Sequence, residues 1–404
     1  MKAGKGGVFM YENRIAQLEQ ALAPQLEHIC HYLFTHPELG LEEWESVKFL
    51  TNWMEQQGFS VEKPWYGLET GFAARWGEDG PCIAFLAEYD ALPGYGPEGC
   101  DNGHACGHNW IAAVTCGAAV VLKQMAEELG LPVRILLAGC PAEETFGAKS
   151  LLAREGAFAG VDCALHAHLS DHSGLYHRSL ALTAMEIRYF GKASHASASP
   201  WEGINALDAL QLYYAGVAAL RQQLRPDVRL HGVIREGGRA ANSIPERASC
   251  LYYARAAKRS ELDKVVARLH DVAKGAALMT GARLEITTPE QPMDDLVQIP
   301  ALQAVLAELL TREGLCYISK EEAERRSAGS TDVGNVSHVC PTAFLEIGVE
   351  GFDGHREEDL AVVDEKAYPA LHKAVRILTE AALRVAQDEG LRAAMWDEWK
   401  ERSK

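Results

Sequence analysis

Short apolar runs of strand length recur along this chain and alternate with longer segments of helical periodicity, and that alternation limits the fold more than any other feature. "PCIAFLAEYD" (81–90), "PVRILLAGC" (132–140), "DCALHAHL" (162–169) and "TAFLEIGV" (342–349) each read as a buried strand. Between the first two, "IAAVTCGAAVVLKQMAEELG" sets Ile111, Val114, Ala118, Leu122 and Met125 on one helical face, with Gly130 as a stop. Residues 11–29 and 42–57 carry helical spacing too, separated by "HPELG", whose proline and glycine break the run. The expectation is an α/β unit with a largely parallel mixed sheet flanked by helices.

The middle of the chain follows another rule. "ALTAMEIRYFG", a helical stretch at 203–224, "VRLHGVIRE", "ASCLYYARA", a helical stretch at 260–281 and "ARLEITT" give the order β-α-β-β-α-β, which is that of a ferredoxin-like α+β unit. We place this inserted satellite domain at 182–288, so that 1–181 and 289–404 form one discontinuous domain. A chain of 404 residues is longer than one core usually supports, which agrees with two units.

A formal charge of -17 argues against nucleic acid as a partner. The first residues lack the apolar stretch of a secretory signal and no run is long enough to span a bilayer, so the expected location is cytoplasmic, with no membrane partner. The ten cysteines are scattered, with no C-x-x-C pair, as in a reducing compartment.

One glycine-rich loop, "EYDALPGYGPEGCDNGHACGHNW" (88–110), concentrates carboxylates, cysteines and histidines. Gly94 to Gly99 satisfies G-x-G-x-x-G, but "DALP" separates it from the strand and no helix follows directly, so a dinucleotide loop is set aside. His104-Ala-Cys106-Gly-His108 can converge on a cation if glycine turns the backbone sharply; alone, a polar loop with a buried cysteine explains it equally well. Three further clusters decide between these. Glu143-Glu144, His166 with His168, and His355 all lie at or beyond the carboxyl ends of the expected strands, where open α/β sheets carry their ligands. His166 and His168, two apart on a strand, point to one face, and His168 is nearer the site. Of two adjacent carboxylates, one can bind a cation while the other moves a proton.

The blocks "EYDALPG", "GHACGHN", "PAEE", "HAHLS", "GKASHASASPWEGINALDAL", "ANSIPERA", "GSTDVGNVS" and the late "GH" occur in this order over nearly the whole chain. Together they resemble the aminoacylase and glutamate-carboxypeptidase family of two-metal peptidases, in the amidohydrolase branch that includes aminobenzoyl-glutamate hydrolase and mammalian dipeptidases. The resemblance implies a metal-dependent amidohydrolase holding two divalent ions (zinc, manganese or cobalt), with Cys106, His108, Glu144, His168 and His355 as ligands and Glu143 as general base. It gives Asp90 a supporting place behind the ligands. His195 and Asn242, in the inserted domain, would stabilise the tetrahedral oxyanion, often across a homodimer interface. The implied substrates are an N-acyl amino acid, an aminobenzoyl-glutamate-like compound or a dipeptide, with Arg239 a candidate for the substrate carboxylate. The chain departs from the branch in an insertion, "YGPEGCDN", which carries Cys100, and in Phe146 after the glutamates, where relatives are richer in glycine. Two rivals remain: a cysteine hydrolase using Cys106 with His104 or His108, and a non-catalytic metal-binding protein. A zinc deaminase would need a P-C-x-x-C partner that the chain lacks.

Overall fold

The strand β3, Cys82–Ala87, is buried along its whole length because its two faces meet different helical layers. Side chains on a strand alternate in direction, so Ile83, Phe85 and Ala87 enter one core while Cys82, Ala84 and Leu86 enter the other. A strand covered on both sides must be apolar throughout, and this one is. The computed structural model describes residues 5–96, 102–326, 328–352, 354 and 367–403. They divide into two compact units, 1–178 with 296–328 and 332–404, and 179–295 with 329–331.

The larger unit contains β1 (Ser60–Glu62), β2 (Phe72–Trp76), β3, the two-residue strands β4 (Leu92–Pro93) and β5 (Asn102–Gly103), β6 (Arg134–Gly139), β7 (Cys163–Ser170) and, far along the chain, β12 (Thr342–Gly348). Its six-stranded sheet has the order β1-β2-β6-β3-β7-β12. The pairs β6/β3, β3/β7 and β7/β12 are parallel, while β1 and β2 extend the edge antiparallel. The four parallel strands are the four apolar runs of the sequence. From β3 the chain goes to β6 on one side and then returns to β7 on the other, and loops at such a reversal diverge to leave a crevice.

One face is covered by α1 (Lys5–Thr35), α2 (Trp44–Gln56), α3 (His108–Leu129), α7 (Pro300–Arg312), α10 (Tyr368–Gln387) and α11 (Glu389–Arg402). The other carries α4 (Ala148–Arg154) and α9 (Val333–Ser337). The first helix continues to Thr35, beyond the expected residue 29, and ends against His36 and Pro37. α3 also differs from the one-sided stripe read from its sequence: every residue from His108 to Leu122 is buried, because the sheet, α1 and α10 surround it.

The smaller unit contains β8 (Ala181–Phe190), α5 (Ala206–Leu220), β9 (Arg229–Glu236), β10 (Arg247–Ala256), α6 (Arg259–Thr280) and β11 (Arg283–Thr287). Its antiparallel sheet runs β11-β8-β10-β9, the ferredoxin-like order. The remaining helix, α8 (Lys320–Arg325), belongs to the larger unit.

Candidate active site

Chemistry gathers where the strand alternation runs past the end of β3. Continuing the even-numbered face, Glu88 points toward α4 and α9, the face that also receives His166 and His168 from β7, whose odd-numbered neighbours fill the opposite core. Phe344 on β12 packs against both histidines, its ring 5.0 Å from His166 and 5.8 Å from His168.

Gly107 makes the turn that starts α3, at φ +78°, a conformation costly to a residue with a Cβ. A Cβ there would also meet Leu169 at 3.0 Å. His108 is thereby placed at the first position of the helix, fully buried. Its Nδ1 lies 2.7 Å from Asp90 Oδ1, which fixes the ring and leaves Nε2 facing inward. That Nε2 has no hydrogen-bond partner among the described residues and lies 3.4 Å from Glu88 Oε2 and 3.8 Å from Glu144 Oε1. The second oxygen of Asp90 accepts from the Glu144 backbone N–H at 3.0 Å, so one carboxylate ties the histidine to the glutamate turn.

Cys106 Sγ is 3.5 Å from His168 Nε2, and the other nitrogen of His168 is 2.6 Å from the Leu169 carbonyl. Burial opposes ionisation of the thiol, but His168 and His108 outweigh it and pull Cys106 down to about 6. Burial also works against a charged His168, yet the sulfur raises it to about 9. Cys106, His108 and His168 form one set of convergent donors, His108, Glu143 and Glu144 a second, and in each set the ligand atoms lie within 4.8 Å of one another. Burial, then Glu88, Asp332 and Glu144, raises Glu143 well above the usual carboxylate range.

Three residues that the sequence did not single out complete the site. Glu88, Glu143 and Asp332 form an acidic trio with the same 4.8 Å spacing. Lys149, completely buried at the start of α4, sends Nζ to 2.8 Å from Glu88 and 2.5 Å from Asp332. Asp332 also accepts from the Lys149 backbone N–H at 2.8 Å. Burial disfavours the ammonium, but its two carboxylates raise Lys149 well above the ordinary lysine value. Burial likewise works against an ionised Glu88, and Lys149 overrides it. The trio thus already has an internal cation. The parity of Glu88 with Leu86 was the signal available for it; Asp332 lay within the quoted "GSTDVGNVS" and Lys149 outside any quoted block, and neither carried a local mark.

This donor chemistry suits metal ions. Among the described residues, Glu88 and Asp332 share the buried Lys149 ammonium, while Glu143, Glu144 and Cys106 add further acidic groups to the convergent donor sets, and buried charge is otherwise paired or metal-bound. Buried nitrogens at His108 and His166, without hydrogen-bond partners among the described residues, face the same space. Of the two histidines named as the base of a cysteine hydrolase, His104 is held down to about 3 by burial and then by His108. His166 sits one step deeper than His168, its Nδ1 3.1 Å from the Leu86 carbonyl. Phe146 is half-buried against the α4 core. His355 and Cys100 lie outside the described residues.

The sequence pattern of peptidase family M20/M25/M40 matches residues 84–384. The chain belongs to the M20 peptidase family. As a member it is a metal-dependent hydrolase of amide or peptide bonds, and its donor clusters are consistent with a dinuclear divalent-metal centre. It is similar to the Xaa-Arg dipeptidase of Mus musculus, at 35% identity over 86% of this chain and 82% of the relative. A subunit of the p-aminobenzoyl-glutamate hydrolase of Escherichia coli is 34% identical over 64% of this chain and 56% of its own. Among solved structures, the aminobenzoyl-glutamate utilization protein from Klebsiella pneumoniae superposes with a TM-score of 0.68 at 22% identity, covering 92% of this chain and 97% of that one. This M20 chain thus shares their fold, and none of its described helices is long and apolar enough to cross a membrane.

In the smaller unit, His195 and Asn242 are brought together: residues 195 and 243 bridge, and the Ala196 N–H donates to the Asn242 carbonyl at 3.0 Å. Both side chains are exposed, as is Arg239. His195 Nδ1 accepts from the N–H groups of Ser197 and Ala198 at 3.3 and 3.2 Å, which leaves the ring proton on Nε2.

Proposed function

We propose that this M20 hydrolase cleaves the amide bond of a dipeptide, an N-acyl amino acid or an aminobenzoyl-glutamate-like compound, and that a dipeptide fits best. The gathering of Cys106, His108, Glu143, Glu144 and His168 at the carboxyl edge of the parallel sheet carries the assignment. Two relatives that align over most of their length are Xaa-Arg dipeptidases, which supports the choice of substrate class. Cys106, His108, Glu144, His168 and His355 would hold the two ions. When bound, such a pair polarises the scissile carbonyl and lowers the pKa of water.

The chain's own groups do the rest. Asp90 keeps His108 Nδ1 protonated so that Nε2 stays available inward. Glu143 accepts the proton of the attacking water and delivers it to the leaving nitrogen, a task suited to a buried carboxyl of raised proton affinity. The family resemblance gives His195 and Asn242 the role of stabilising the oxyanion, and His195, its Nδ1 tied to backbone, carries an Nε2–H suited to that role. Arg239 is a candidate to pair with the substrate carboxylate.

The unit at 179–295 would serve as a dimerisation and lid domain. Its edge strand β9 is exposed on both faces, with Val233 and Ile234 uncovered, a surface suited to strand addition from a second copy.

Glu143→Gln tests the assignment. In the metal-reconstituted protein it should bind two ions normally and lose about 10²- to 10⁴-fold in kcat on a panel of dipeptides and N-acyl amino acids. Turnover that survives Glu143→Gln, or survives chelation in the parent protein, would exclude this function.

A further inference from the structure

The segment "HPELGLEE", residues 36–43, reads locally as a helix break, yet it braces both loops that carry the site. The Glu38 carbonyl accepts from the Ala91 N–H at 2.8 Å, and Leu39 bridges Ala91. The Glu38 side chain caps the start of α2, taking the N–H groups of Glu45 and Ser46 at 3.0 and 2.8 Å. Gly40 packs so closely on the glutamate turn that a Cβ would lie 2.4 Å from Thr145 Oγ1 and 2.8 Å from Ala142 Cβ.

Glu43 is the centre of this brace. It is fully buried, and its two oxygens have separate partners: Oε2 accepts from Thr70 Oγ1 at 2.7 Å and Oε1 from the Ala142 N–H at 2.8 Å. Thr70 is itself held, its carbonyl accepting from Tyr89 Oη at 2.6 Å. Ala142 has φ +54°, a left-handed conformation that costs a non-glycine residue about 1 kcal/mol or more and persists only where its surroundings enforce it. The two residues that follow are Glu143 and Glu144. The turn is therefore gripped on both sides, by Glu43 at the Ala142 N–H and by Asp90 at the Glu144 N–H.

We propose that Glu43 is a positioning residue: its carboxyl holds Ala142 in the left-handed conformation and so sets the direction in which Glu143 and Glu144 leave the turn. This rests on the hydrolase assignment for its kinetic consequence, though not for its effect on metal binding. The role depends on reach, not on charge. Burial, with Asp90 nearby, raises Glu43 to about 8, so its neutral form is within ordinary range and an amide is a fair substitute.

Two substitutions separate reach from charge. Glu43→Gln keeps an oxygen for Ala142 and a donor for Thr70; its kcat and both metal affinities should stay within about threefold of the parent protein. Glu43→Asp keeps the carboxyl but is one methylene short; kcat should fall 10- to 100-fold with KM little changed, and chelator competition should show one ion bound at least tenfold more weakly, as for other residues that orient ligands. Gly40→Ala pushes on the same turn at Ala142 and Thr145 while leaving the Glu43 side chain in place, and should give the signature of Glu43→Asp, which covers the case in which that variant does not fold. Parent-like kcat and metal affinity in Glu43→Asp or Gly40→Ala would overturn the proposal, and so would a Glu43→Gln protein as impaired as Glu43→Asp. If the parent protein hydrolyses no amide, the hydrolase assignment fails, while the metal affinities still judge Glu43.

Discussion

Lys149→Met in the metal-free protein isolates the internal cation of the acidic trio. Methionine keeps much of the length of the lysine stem and removes the charge, so packing changes little while Glu88 and Asp332 lose the ammonium 2.8 and 2.5 Å away. Removing one partner of a buried ion pair costs about 3–5 kcal/mol, and here one ammonium serves two carboxylates. A proton can replace part of what is lost. Burial already raises Asp332 to about 6, against the lowering effect of Lys149; without that lysine it binds its proton more tightly still, and each tenfold gain in proton affinity is worth about 1.4 kcal/mol. A carboxyl whose folded pKa lies above its unfolded value contributes stability that is present at low pH and lost as pH rises through the folded value. The deficit of Lys149→Met should therefore widen with pH, from about 2 kcal/mol near pH 5.5 to about 4 kcal/mol near pH 8, bounded by the cost of a broken buried pair. Urea unfolding followed by tryptophan fluorescence measures this in the correct unit, since every tryptophan except Trp201 belongs to the larger one. The midpoint at pH 8 should drop by on the order of 1 M. An unchanged midpoint, or a deficit equal at pH 5.5 and pH 8, would refute the electrostatic account and leave only a packing role for the lysine.

Two further outcomes test other parts of the site and the assembly. In metal-free protein Cys106 should be alkylated by iodoacetamide with a rate that rises through about pH 6 and should be protected by zinc or manganese, whereas buried Cys340, raised to about 12, stays unmodified under native conditions; mass spectrometry after digestion reads both. Val233→Lys places a charge on the exposed edge of β9, and if that edge joins two copies, sedimentation should show a shift from dimer toward monomer with kcat reduced in parallel, while an unchanged dimer would place the interface elsewhere.

The sequence by itself determined the elements and much of the chemistry. Four short apolar runs read as buried strands, and they form the parallel part of the sheet. The β-α-β-β-α-β order of the middle segment could be read because its periodicity is local, and the elements follow that order. Cys106, His108, Glu143, Glu144 and His168 could be singled out because they stand in the ordered blocks that carry the family resemblance, and the structure brings them within reach of one another. The antiparallel edge, β1 and β2, was not: strands of three and five residues carry too little pattern. Nor were Glu88, Lys149, Asp332 and Glu43, since a charged residue in a sequence looks the same whether water or another side chain neutralises it. Only packing decides that, by bringing Lys149 and Asp332, 183 residues apart, into one dry space where each charge needs the other.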